Sequence, residues 1–151
     1  MVENFKVVIV PESYVWENGK IDRFGDIHIK LEDFAFPSEV WNDFGSDIVY
    51  WWMESFLKIL NGGEKKAKCS FMDGNYRFDI SIFDSSYWTI RCIRENADKE
   101  EIWHTANIEI KQAIMALISS AREFQGFSKK SGEINSFENY ELKIINLSQY
   151  L

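Results

Sequence analysis

A chain of 151 residues with 46% hydrophobic and 16% aromatic side chains has the material for one domain, residues 1–151, with a real core, which excludes a disordered chain. Its net charge of −7 is unevenly placed: residues 1–60 hold eleven acids against five bases (net −6), residues 61–151 thirteen against twelve (net −1). An acidic N-terminal half disfavours nucleic acid, whose phosphates need Lys and Arg, and it either steers a basic partner or simply aids solubility.

The N-terminal run MVENFKVVIV carries Glu3 and Lys6 and lacks a basic leader and a small-residue cleavage site. It reads as a strand rather than a signal peptide. No apolar segment approaches the ~20 residues that span a bilayer, so the expectation is a soluble, cytoplasmic protein without a membrane partner. Pro11 interrupts residues 5–16, which marks an edge or broken strand. Asn18-Gly19 then supplies a hairpin turn, because both residues tolerate positive φ. Near 26–33, Ile27, Ile29 and Leu31 alternate with His28, Lys30 and Glu32, the pattern of a half-buried antiparallel strand.

DFAFPSEVWN (33–42) reads as an ordered connection. Asp43 or Ser46 is placed to cap the next helix (47–60), and Gly62-Gly63 to end it. Residues 67–95 predict a three-strand meander. Ala67, Cys69 and Phe71 share one face; Tyr76, Phe78, Ile80 and Ile82 alternate with Arg77, Asp79 and Ser81. Trp88, Ile90 and Cys92 alternate with polar Thr89, Arg91 and Arg94. Glu100–His104 adds a short strand. From about Asn107 to Gln125 the period becomes helical, with Gly126 as its stop, and a polar linker FSKKSGEINS leads to a C-terminal helix through Phe137, Tyr140, Ile144, Leu147 and Leu151. The order implies an α+β fold: an antiparallel sheet, made of an N-terminal hairpin and the meander, packed against two main helices and a short C-terminal one.

Catalytic chemistry is sparse. His28 and His104 belong to no zinc signature, and Cys69 and Cys92 belong to no metal-ligand spacing and read as buried thiols. No GxSxG occurs. Cys92 and His104 are near in sequence, but Cys92 points inward. Gly62-Gly63 follows a helix and so cradles no phosphate. Asp79 and Asp84 could in principle pair for acid/base work, but a solvated strand face and a turn explain them more simply. The expectation is a protein that is not an enzyme and has no metal or cofactor.

The most informative stretch is Tyr50-Trp51-Trp52. On a helical wheel with Asp47 at 0° and 100° per residue, Ile48, Val49, Trp52, Met53, Phe56, Ile59 and Leu60 fall between about 100° and 240°. Trp51 lands near 40°, inside the polar arc of Asp47, Glu54, Ser55, Lys58 and Asn61, and Tyr50 near 300°, on its border. Either a loop or the C-terminal tail covers Trp51, which spare chain favours, or Trp51 anchors a partner, ringed by Tyr50, Asp47 and Glu54.

Residues 51–62 (WWMESFLKILNG) and 71–79 (FMDGNYRFD) resemble small bacterial immunity proteins of polymorphic or contact-dependent toxin systems, over roughly residues 40–125. That resemblance implies a cytoplasmic, non-catalytic inhibitor that binds a cognate toxin domain. The family has no universal binding residues, so the candidates come from this chain alone: Trp51 and Tyr50 for affinity, and Asp47, Glu54, Asp43, Glu32 and Asp26 to attract a basic toxin. The alternative is a small-molecule or peptide-binding domain with an aromatic cavity built from Trp52, Phe78, Trp88 and Trp103.

Overall fold

The computed structural model describes residues 2–15, 22–131 and 138–151. The Asn18-Gly19 turn and most of the SGEINS linker lie outside them. The fold is α+β, and its strands form two antiparallel four-stranded sheets. The hairpin and the meander expected to share one sheet are therefore separate.

In the first sheet, β1 (Phe5–Ile9) runs antiparallel to β2 (Phe24–Leu31), with Val7 opposite Ile29. Pro11 breaks the strand as expected, and opens a 3-10 turn, Pro11–Tyr14, that drives Tyr14 into the core. Residues 33–44, the expected connection and the two residues after it, hold two strands too short to show a period. These are β3 (Phe34–Phe36), opposite Ile29–Leu31, and β4 (Asn42–Phe44), opposite Phe24–Asp26. Both line the edge of β2 away from β1. Asp26 O accepts from Val10 N on the β1 side, and the next residue, Ile27, donates N–H to Trp41 O on the other.

The second sheet is the expected meander plus one strand: β5 (Lys66–Ser70), β6 (Tyr76–Ile82), β7 (Tyr87–Asn96) and β8 (Lys99–Glu109), paired in that order. β8 is much longer than Glu100–His104. A bulge between Cys92 and Ile93 shifts the register, so Trp103 breaks the alternation that would have revealed the strand. Cross-strand partners at Tyr87 and Thr89 hold 107–109 in the sheet, and His104 sits within β8 rather than ahead of a helix. Cys69 and Cys92 lie two strands apart across Phe78, about 9.6 Å at ordinary strand spacing, beyond disulfide reach. Both are buried free thiols.

Three helices complete the fold. α1 (Gly45–Leu60) lies along β5, where Trp52 Nε1 donates to Ser70 O (2.8 Å) and Ser55 Oγ to Lys68 O (2.6 Å). Neither Asp43 nor Ser46 caps it: Phe44 is the N-cap and offers no side-chain hydrogen bond. The glycine that follows is there for packing, since a Cβ on Gly45 would lie 2.5 Å from Phe124 Cζ and from the Tyr14 hydroxyl. Gly62, at φ +82°, ends the helix as expected. α2 (Ile110–Ser131) runs past Gly126, whose missing side chain would meet open space. α3 (Glu138–Ser148) buries Tyr140, Ile144 and Leu147.

The core is aromatic and closed. Trp52 meets Phe71 and Phe78 edge to face at 5.2 and 5.0 Å, Phe56 meets Trp88 at 5.1 Å, and Phe5 ties β1 to Phe78 at 5.8 Å. Two polar positions read as solvated are not. His28 is 6% exposed, with Nδ1 buried and unbonded. Asp79 is 1% exposed, because the long side chains of its own sheet face close over it. Arg77 Nε binds it at 2.9 Å, while Lys66 and Arg91 approach to 3.3 and 3.6 Å. Arg77 in turn holds Glu95 and Glu100.

Candidate interaction surface

The wheel placed Trp51 among polar residues, and neither the 33–42 segment nor the C-terminal tail covers it: Trp51 is 40% exposed. The expectation that spare chain would cover it is corrected. α3 lies instead along the Tyr50 border of α1. Tyr50 stacks on Tyr140 (6.1 Å, 23°), Lys143 Nζ stands 5.4 Å from the Tyr50 ring, and Glu54 approaches Lys143 at 3.9 Å. Tyr50 and Glu54 are thus engaged within the chain, and Trp51 belongs to the other flank.

On that flank, Phe44 precedes the helix seven positions before Trp51, about 10 Å away along the axis and on nearly the same side. Phe44 packs edge to face on Phe24 (5.2 Å, 67°), and both are exposed. Asp43, next to Phe44, is 3% exposed and spends its carboxylate inward. Oδ1 accepts from Phe44 N (2.8 Å), and Oδ2 accepts from Met72 N (3.0 Å) and Trp41 Nε1 (3.1 Å). One side chain thereby fixes three segments: the β3–β4 connection, the entrance to α1 and the β5–β6 turn. A partner cannot reach Asp43, but Asp43 holds in place the residues a partner could reach.

Beyond Trp41 the apolar surface continues. Trp41 packs on Tyr76 (5.0 Å, 66°), Tyr76 on Trp103 (5.6 Å, 76°) and Trp103 on Phe36 (5.8 Å, 87°). Each ring stands on the edge of the next, the arrangement that ring quadrupoles favour. Trp103 is 40% exposed, Trp41 and Tyr76 are half-buried, and Met72 and Val40 are exposed. Joined at the Asp43 carboxylate, the Phe24–Phe44 pair, the Met72 segment and the Trp41–Tyr76–Trp103 chain form a band, with Trp51 two helical turns along α1 from Phe44. Its rim is mainly acidic. By sequence neighbourhood and strand register, Asp22, Glu39, Asp47, Asp73 and Glu101 flank it, against Arg23 and Arg94. Asp47 faces Arg23 at 3.8 Å. Hydrogen bonds from Asn96 and Trp103, with the nearby charge of Arg94, lower the Glu101 carboxyl pKa.

The expected acidic residues do not form one patch. Asp47 lies on the band's rim beside Trp51. Asp26 is a half-buried β2 residue whose carbonyl accepts from the Tyr14 hydroxyl (3.1 Å). Glu32 lies at the far end of β2, about 20 Å along the strand from Asp26, and accepts from Asn4 N (2.8 Å). No local sequence pattern marks Trp41, Tyr76 and Trp103 for the surface. They are distant in sequence and meet only because β3–β4, β6 and β8 converge.

The rings suggested for a cavity are divided. Trp52, Phe78 and Trp88 are fully buried in the packed core, and Trp103 is on the surface. Two surface grooves of about 470 and 380 Å³ lie elsewhere, flanking Tyr150, and none of those four rings lines them. Among the described residues no cluster of His, Cys, Asp and Glu is arranged to hold a metal ion, and no helix is long and apolar enough to cross a membrane.

No family model matches the chain, and neither does any curated protein. Among solved structures it is similar to a chain from the crystal structures of Trypanosoma brucei MRP1/MRP2, at 15% identity and a TM-score of 0.37, over 83% of this chain and 87% of that one. A likeness at that score carries no argument about function.

Proposed function

We propose that this protein is a non-catalytic binding protein of the immunity type, which neutralises a cognate bacterial toxin domain by covering it. The observation that carries the reading is the exposed aromatic band organised by the buried Asp43 carboxylate. Exposed Trp and Tyr fixed on a rigid scaffold are the residues that anchor protein interfaces, since they bring large area at little entropic cost. An acidic rim steers a basic toxin surface toward the band and repels nucleic acid. Such an inhibitor acts in the cytoplasm, where the two buried thiols stay reduced. A small-molecule-binding domain is less well supported, because its supposed lining is split between packed core and surface.

Calorimetric titration with the toxin domain encoded beside this gene tests the reading. Saturable binding at micromolar concentration or tighter is expected, weakening as salt is raised. An absence of binding at those concentrations sinks it.

A further inference from the structure

Arginine usage singles out one corner of the band. Arg23, Arg77, Arg91 and Arg122 each have a carboxylate oxygen within 3.8 Å. Arg94 has none. Its cross-strand neighbours are Tyr76 on β6 and Glu101 on β8. Glu101 feels the Arg94 charge, which helps to lower its carboxyl pKa, but makes no direct ion pair with it, and accepts instead from Asn96 Nδ2 (3.2 Å) and Trp103 Nε1 (3.3 Å). The Arg94 guanidinium lies over the Tyr76 ring, 5.9 Å from its centroid. Its Nε is closed off from solvent without a hydrogen-bond partner, while the two terminal nitrogens are not among the buried atoms left unbonded. A half-buried arginine thus lies over a ring face, next to an exposed tryptophan, and its terminal nitrogens make no hydrogen bond among the described residues.

We propose that Arg94 is the register-fixing contact of the band and receives one carboxylate of the protein partner, an Asp or Glu side chain, in the corner formed with Tyr76 and Trp103. This rests on the binding reading above and names the chemistry of one of its contacts. A guanidinium presents paired N–H donors that match the two oxygens of a carboxylate, and its place over the Tyr76 ring positions it before the partner arrives. Trp, Tyr and Arg are also the residue types that dominate binding energy at interfaces. The acidic rim sharpens the role. Elsewhere on the rim a carboxylate meets mostly like charge, and the other rim arginine, Arg23, already faces Asp47 at 3.8 Å, so Arg94 is the favoured place for one acid of a basic partner. The same rim disfavours a polyanion such as nucleic acid, although a phosphate oxygen would suit the guanidinium itself.

Two measurements test this. In the first, the toxin domain is titrated with the wild-type chain and with the Arg94→Gln and Arg94→Lys variants, each checked for an unchanged melting temperature. Arg94→Gln is expected to weaken the complex by roughly tenfold or more, and Arg94→Lys to recover only part of the loss. Wild-type binding with undiminished Arg94→Gln affinity overturns the inference and leaves the binding reading standing. The second measurement needs no toxin. The ¹⁵N-labelled full chain is titrated with a capped Gly/Ser peptide carrying one Glu, and with its Gln counterpart. The Arg94 Nε–H and Trp103 indole signals should move saturably with the Glu peptide only, and the indole signal should stay still in Arg94→Gln. No movement, equal movement with the Gln peptide, or a stronger saturable response to a single-stranded oligonucleotide overturns the carboxylate assignment.

Discussion

Asp43 and Asp79 are both aspartates in strands, both nearly sealed from solvent, and they do opposite work. Asp79 sits in the outer face of the second sheet and is neutralised by cations, Arg77, Lys66 and Arg91. Asp43 meets neutral donors only, an indole N–H and two backbone N–H groups, from three separate segments. The first arrangement ties adjacent strands to one another, and its removal strands charge. The second joins loops that no strand pairing connects, and its removal frees a surface. Burial alone therefore does not say what an acid does; the chemistry of its donors does.

The sharpest way to break this comparison is Asp79→Ala. Losing the carboxylate leaves the buried Arg77 only its partly exposed partners, and breaking a buried charge pair costs about 3 kcal/mol. Chemical denaturation should show that loss, while affinity for the toxin domain stays within about twofold, as expected for a site with no interface contact. Asp43→Ala should cost less stability, about 2 kcal/mol, because the freed N–H groups lie near water and can be rehydrated. Binding should suffer more, and amide exchange at Phe44 and Met72 should quicken. Equal binding losses for the two variants would erase the distinction.

Trp51→Ala is the next test. Stability should change by no more than about 0.5 kcal/mol, while the complex weakens measurably; a large drop in melting temperature would place Trp51 in the core instead. The smallest effect belongs to His28. Burial, aided by Lys30, lowers its pKa below the ordinary 6.5. The unfolded chain then binds the proton more readily, so this contribution to stability is complete above pH 6.5 and is lost as the pH falls through that value toward the folded pKa. A series of melting temperatures from about pH 7.5 to 5.5 should fall less steeply in His28→Leu than in the wild type.

Much of the fold was legible in local pattern. The alternation of Phe78 and Ile80 or of Trp88, Ile90 and Cys92, the helical face of α2, and the Gly62 stop all follow from short-range periodicity. The rule that polar alternates point to solvent failed at His28 and Asp79. A sheet face can be closed by its own long side chains, and the pattern of a single strand cannot show that. β3 and β4 escaped because three residues carry no period, and most of β8 because its bulge reverses the parity at Trp103. Of the proposed binding surface, Trp51 was legible from a helical wheel alone. Trp41, Tyr76, Trp103 and Arg94 were not, since their meeting depends on sheet register and on the Asp43 carboxylate.

The helix seated on β5 carries a consequence for how any partner can engage this flank. Trp52 and Ser55 donate to the outward carbonyls of Ser70 and Lys68, two of the groups that an incoming strand would need for pairing. With those acceptors spent, the margin offers a poor template for strand addition, whether by a foreign chain or by another copy of this one. The recognition proposed beside Trp51 is therefore one read in side chains, where single substitutions alter it, rather than in backbone, where few would.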